Sequence, residues 1–159
     1  MLRLVLYQPD IPQNTGTMLR MAACLGLAVE IVEPAGFDVS DRHLRRSGLD
    51  YLDHVAITRH RSFSAFEAWR AEAGLRLVLA TTTGALPHTD FVFGPDDCVM
   101  VGRESAGVPD VVHAAADARV VVPIRPGLRS LNVAVAAAMI AGEALRQTGG
   151  FASDGGQPA

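Results

Sequence analysis

Lysine is absent from this 159-residue chain, so all fourteen basic residues are arginine. Every cation is then a permanently charged planar fork, shaped to grip a phosphate or carboxylate through two bonds at once. Cysteine is nearly absent too. Cys24 and Cys98 stand alone without C-x-x-C spacing, which excludes a disulfide framework. Both lie in apolar stretches and read as inert core thiols. His43, His54, His60, His88 and His113 lack metal-ligand spacing, so no metal is expected. No apolar run approaches the ~20 residues that cross a bilayer; the longest, Val133 to Ala141, has nine. The opening MLRLVLYQPD carries no signal-peptide pattern, and a cytoplasmic protein is expected. Aromatics make up only 6%, and Phe63, Phe66 and Trp69 fall at helical spacing, which reads as core rather than as a base-stacking platform.

What is present is apolar. Hydrophobic residues reach 49% against 19% charged, which excludes a disordered chain. The length fits one domain, residues 1–151, followed by a flexible Gly-rich tail at 152–159. Strand patterns fall at Leu2–Tyr7, Leu27–Val32, Val55–Arg59, Leu75–Ala80, Cys98–Val101 and Arg119–Val122, with a shorter one at Phe91–Phe93. Between them come helix patterns: Asn14, as the cap, to Leu25; Asp41–Ser47; Ser62 to Gly74; a short helix opened by Pro109; and Asn132 to Gln147. This alternation predicts an α/β fold, a mainly parallel sheet with helices on both faces.

The net charge is −3, but the charge is unevenly spread. From Asp41 to Arg61, Arg42, Arg45, Arg46, Arg59 and Arg61 outnumber Asp41, Asp50 and Asp53, giving one basic face to an acidic protein. On the last helix, Val133, Ala137, Ala141 and Ala144 form a small-residue face that suits close helix packing, either internal or across a dimer.

Ligands of open α/β sheets sit beyond the carboxyl ends of strands. Three loops in such positions carry the unusual residues. The first, Gln8 to Gly16, opens a helix on which Gly16 and Arg20 share a face, so Asn14 and Arg20 could hold a phosphate or sugar there. The second, Gly102-Arg-Glu104-Ser-Ala-Gly107-Val-Pro109, allows a tight turn with close backbone approach to a ligand. It is neither the G-x-G-x-x-G dinucleotide fingerprint nor the G-x-S-x-G elbow. The third, Pro123 to Asn132, joins Arg125 and Arg129 to the capping types Ser130 and Asn132.

Together, Asn14-x-Gly16-x-x-x-Arg20, Gly102-x-Glu104-x-x-Gly107-x-Pro109 and Ser130-x-Asn132 resemble the three motifs of the SPOUT RNA 2′-O-ribose methyltransferases. The opening LVLYQPDIPQNTG, with EPAGFD, LRRSGLDY and LRQTGG, resembles the TrmL subgroup, which methylates the wobble nucleotide of certain tRNAs. The resemblance implies an α/β knot, a deep C-terminal trefoil. It implies S-adenosylmethionine as cofactor, held by Ala80, Thr81, Gly102, Val122, Ile124, Ser130 and Leu131. It also implies a homodimer in which Arg20 of one subunit nears the cofactor of the other, with Asn14 and Arg20 catalytic and Gly16, Glu104, Gly107 and Asn132 completing the motifs. The anticodon stem-loop of leucine tRNAs would dock on Arg42, Arg45, Arg46, Arg59 and Arg61, helped by Arg125 and Arg129. Two departures stand out: some relatives have Pro where Arg103 stands and Arg where Ala106 stands. The same chemistry on another tRNA position or on ribosomal RNA, and a non-catalytic RNA-binding protein, are the alternatives.

Overall fold

The strands are apolar on both sides because both sides are covered. The computed structural model describes residues 1–40, 42, 51–83 and 85–153. In it, β1 (Arg3–Tyr7), β2 (Ala28–Val32), β3 (Ile57–His60), β4 (Leu77–Ala80), β5 (Leu86–Pro87), β6 (Cys98–Val101) and β7 (Ala118–Val121) form one sheet. Its order is β3-β2-β1-β6-β4-β7-β5 and every pairing is parallel. Among the described residues, α1 (Pro12–Leu25), α2 (Phe63–Glu72) and α3 (Asp110–Ala115) cross between strands and α4 (Val133–Thr148) follows the last one, with a 3-10 turn at Leu52–His54.

Alternation along each strand divides the interior in two. Leu4, Leu6, Val78, Val99 and Val101 face α1 and α4; Val5, Tyr7, Leu77, Leu79, Cys98 and Met100 face α2 and α3. Phe66 is fully buried there, with Phe63 and Trp69 packed beside it, so these rings are core as their spacing implied. Burial also lifts the Cys98 thiol to about 12, leaving it protonated and inert. Cys24 departs from expectation: it is exposed. It stands two residues past buried Ala22, about 200° around the helix, and so leaves the apolar stripe.

Helix α1 begins earlier than its capping residue suggested. Pro12, whose fixed φ suits the first helical position, starts it after Ile11, which offers no side-chain cap. A missing cap costs about 1 kcal/mol, whereas burying side chains such as Met18 and Leu19 stabilises by about 1.5–3 kcal/mol each, so packing holds the helix. Asn14 is thereby inside the first turn, its amide free for other partners. Asn132 does cap α4, accepting from Ala134 N (2.8 Å) and Val135 N (3.3 Å); Ser130 does not.

The short strand expected at Phe91–Phe93 is not formed. Gln147 of α4 ties that segment instead, accepting from Phe93 N–H and donating to Phe91 O, both at 2.9 Å. The added strand is β5, paired to β7. The small-residue face of α4 is internal, since Ala137, Ala141 and Ala144 are buried in the core shared with α1. The helix expected at Asp41–Ser47 lies outside the described residues apart from Arg42, and Arg45 and Arg46 lie outside them too.

Candidate active site

The loops after β1, β6 and β7 meet at one edge of the sheet, and a chain of polar bonds joins them. Asp10 N–H donates to Glu104 Oε2 (3.2 Å), and Asp10 Oδ1 accepts from Glu104 N–H (3.1 Å). Ser105 Oγ donates to the other Asp10 oxygen. Asn14 Nδ2 donates to Glu104 Oε1 (3.4 Å), and Asn132 Nδ2 donates to Asn14 Oδ1 (2.9 Å). Five residues from three separate stretches of the sequence thus lock the loops together. Asp10 had no assigned role in the sequence reading; its only signal was a carboxylate in a Pro-rich loop, which reads as a turn residue.

The second loop folds onto itself. Arg103 and Gly107 exchange both backbone bonds (2.9 and 2.8 Å). A Cβ on Gly102 would lie 2.8 Å from the Gly107 carbonyl carbon, while Gly107 has φ +63°. The close approach expected of these glycines is therefore between themselves, and it fixes the orientation of Glu104.

Beneath the joined loops lies a cavity of about 690 Å³, within the roughly 300–1,000 Å³ of small-molecule sites. Ala80, Thr81, Gly102, Val122, Ile124, Ser130 and Leu131 all border it, as do Asn14, Glu104, Gly107 and Asn132. Val101, Val120 and Ile140 supply an apolar wall, and Thr81, Thr82 and Thr83 bring hydroxyls. The backbone groups of Ile124, Ser130 and Leu131 make no backbone–backbone hydrogen bond to another described residue. Those free donors and acceptors, beside an apolar wall, fit a ligand that combines a heterocycle with polar ends. Arg103 also borders the cavity; its Nε is buried with no hydrogen bond, 3.7 Å from Asp10 Oδ2.

Arg20 is not at this cavity. It is exposed on α1, its guanidinium 4.7 Å from the centre of the Tyr51 ring and Nη2 donating to the Tyr51 hydroxyl (3.3 Å). Gly16 is half-buried in the same helix and off the cavity wall. Arg42, Arg125 and Arg129 are exposed, and Arg59 and Arg61 border a second, separate cavity. Among the described residues, no group of three His, Cys, Asp or Glu is placed to hold a metal, and no helix is long and apolar enough to cross a membrane.

The Asp10–Glu104 pair splits in acidity. Hydrogen bonds from the Glu104 and Ser105 side draw Asp10 down to about 2, while burial, and then Asp10 itself, push Glu104 above its ordinary value. An acid with a depressed folded value stabilises the fold above its ordinary 3.8 and stops doing so as pH falls through about 2. Wild type should therefore be more stable than Asp10→Asn above pH 3.8, with the gap closing toward pH 2, as read from urea midpoints. A gap constant with pH would remove Asp10 as the ionised partner.

A wholly parallel sheet with a cavity at its carboxyl edge, under three cross-bonded loops, defines an α/β small-molecule-binding domain of the type enzymes use. Residues 1–142 match the model of the SpoU rRNA Methylase family, and the chain belongs to that family. A relative from Beijerinckia indica, named tRNA (cytidine(34)-2'-O)-methyltransferase, is 68% identical over 149 residues, covering 94% of this chain and 93% of that one. A solved structure described as "Structural insights into the 2-OH methylation of C/U34 on tRNA" matches at TM-score 0.84 and 41% identity, over 92% of this chain and 95% of that one. The SpoU methyltransferase AviRb from Streptomyces viridochromogenes, in complex with AdoMet, matches at TM-score 0.82 and 30% identity, over 92% of this chain and 60% of the other.

Proposed function

We propose that this chain methylates the ribose 2′-hydroxyl of the wobble cytidine or uridine in leucine tRNAs, in the cytoplasm, as a homodimer of one methyltransferase domain spanning residues 1–151. The observation that carries the reading is the Asp10–Glu104–Asn14–Asn132 network over a cavity bordered by all seven residues expected at the cofactor. The relative named for that reaction, at 68% identity, supports the substrate.

S-adenosylmethionine, when bound, supplies a methyl group on a positively charged sulfur, already a good electrophile. The backbone of Ile124, Ser130 and Leu131 would hold it through the free donors and acceptors described above. What remains for the chain is to position a poorly acidic hydroxyl, work that contributes up to about 7–11 kcal/mol in well-oriented cases. Asn14, held between Glu104 and Asn132, orients the ribose. Arg20 comes from the partner subunit: it is exposed and off the wall of its own chain's cavity, and Ile11, just before α1, and Val135 and Met139 of α4 are exposed as apolar contacts for a second copy. A guanidinium holds its proton above pH ~12, so Arg20 clamps phosphate and stabilises developing alkoxide charge rather than acting as base. The proton leaves to a substrate phosphate or water. Insertion of β7 between β4 and β5, followed by return of α4 onto α1, is compatible with the trefoil knot that this reading carries.

Purified protein, labelled S-adenosylmethionine and total tRNA from a strain lacking this activity test the reading. Label should enter tRNA and map by nuclease digestion to the wobble ribose. Label in ribosomal RNA alone, or no transfer to either RNA, would overturn it.

A further inference from the structure

A second cavity, of about 390 Å³, opens beyond the carboxyl ends of β2 and β3, on the same sheet edge as the first. Its walls include Glu33, Pro34, Phe37 and Val39 from the loop after β2, and Arg59 and Arg61 from the end of β3 and just beyond it. Arg59 is steadied by donating to Val39 O (3.4 Å). Arg61 is exposed, and neither it nor the half-buried Glu33 carboxylate pairs with the other or with any described side chain. A ring, the Glu33 and Asp38 carboxylates and two guanidinium groups border one hollow, and these groups match the parts of a nucleotide: a flat base, its amino donors and its phosphate. β2 and β4 are three strands apart in the sheet, or roughly 15 Å at about 4.8 Å per strand. A few nucleotides of single strand span that gap.

Resting on the RNA-methyltransferase reading above, we propose that this cavity is a second nucleotide subsite, taking a base of the same RNA strand a few positions from the methylated ribose. The base stacks on Phe37 and donates its exocyclic amino group to Glu33, while Arg61 and Arg59 hold the adjoining phosphate. Such a pocket goes beyond a basic face, because it reads a base rather than only charge.

The subsite is also wired to the active site. Gly36 N–H donates to Pro9 O (2.8 Å), and a Cβ on Gly36 would come 2.8 Å from Asp10 Cβ. The loop that walls the subsite therefore rests on the residue that holds Glu104.

The test pairs two variants with one probe. Labelled anticodon stem-loop RNA is titrated by fluorescence anisotropy against wild type, Phe37→Ala and Arg61→Ala, with methyl transfer followed in parallel. Melting curves and S-adenosylmethionine binding check that the variants fold. Phe37→Ala should weaken RNA binding roughly tenfold, the order of a lost base–aromatic stack. One abasic nucleotide near the target should cost wild type the same amount and cost Phe37→Ala nothing more. Arg61→Ala should weaken binding less and flatten its salt dependence. RNA bound and methylated equally well by all three proteins would overturn the subsite and leave the functional reading intact. Losses that simply add at every abasic position would also overturn it, because they would place Phe37 away from the base. Wild type that neither binds nor methylates the RNA would overturn the functional reading, and the subsite with it.

Discussion

Arg20→Lys should lower methyl-transfer turnover by about a hundredfold, the usual cost of removing one preorganised group at a developing oxyanion. Lysine keeps the positive charge but loses the fork, and it loses the planar surface that lies over Tyr51 at 4.7 Å. The affinity for S-adenosylmethionine should not change, because the residues that border the cavity are untouched and the positive charge is kept. Single-turnover rates and cofactor titration on the same preparation separate the two effects. Turnover at the wild-type level would show that charge alone suffices and would sink the clamp.

A second expected result exploits the distance between Arg20 and the cavity. Arg20→Ala and Asn14→Ala should each be nearly inactive alone, since in the proposed dimer Arg20 serves the neighbouring site and Asn14 its own. Co-expressed, the two chains pair at random. In a mixed dimer one site carries both lesions and the other carries neither, so activity should return to about a quarter of wild type under two-fold symmetry. Isolating the mixed species through two different tags should raise that to about a half. No recovery would mean that Arg20 acts within its own chain or that the protein works as a monomer.

Much of the fold was legible because the chain states it redundantly. Leu77–Leu79 and Cys98–Val101 are apolar at every position, a pattern that only a strand covered on both faces uses, and each lies in the sheet interior. Position-dependent roles were harder to read. Asn14 has the chemistry of a cap, but Pro12 two residues earlier starts the helix and turns the amide toward Glu104 and Asn132. Cys24 sits among apolar neighbours in sequence yet on the outer side of α1. The small residues of α4 had to pack against something, and periodicity names the face without naming its cover; the cover is α1 and the sheet. Asp10 escaped notice because its partners lie 94 and 95 residues away, beyond any local pattern.

The bond from Asn132 to Asn14 spans 118 residues, and β7 enters the sheet between two strands made before it. During synthesis, then, a ribosome-bound chain emerges with β1 to β6 in hand but with no third loop, no α4 and no closed cavity. Every incomplete product therefore lacks the closed cavity on which the proposed methyl transfer depends. Competence arrives in one late step, when the last two elements leave the exit tunnel and dock.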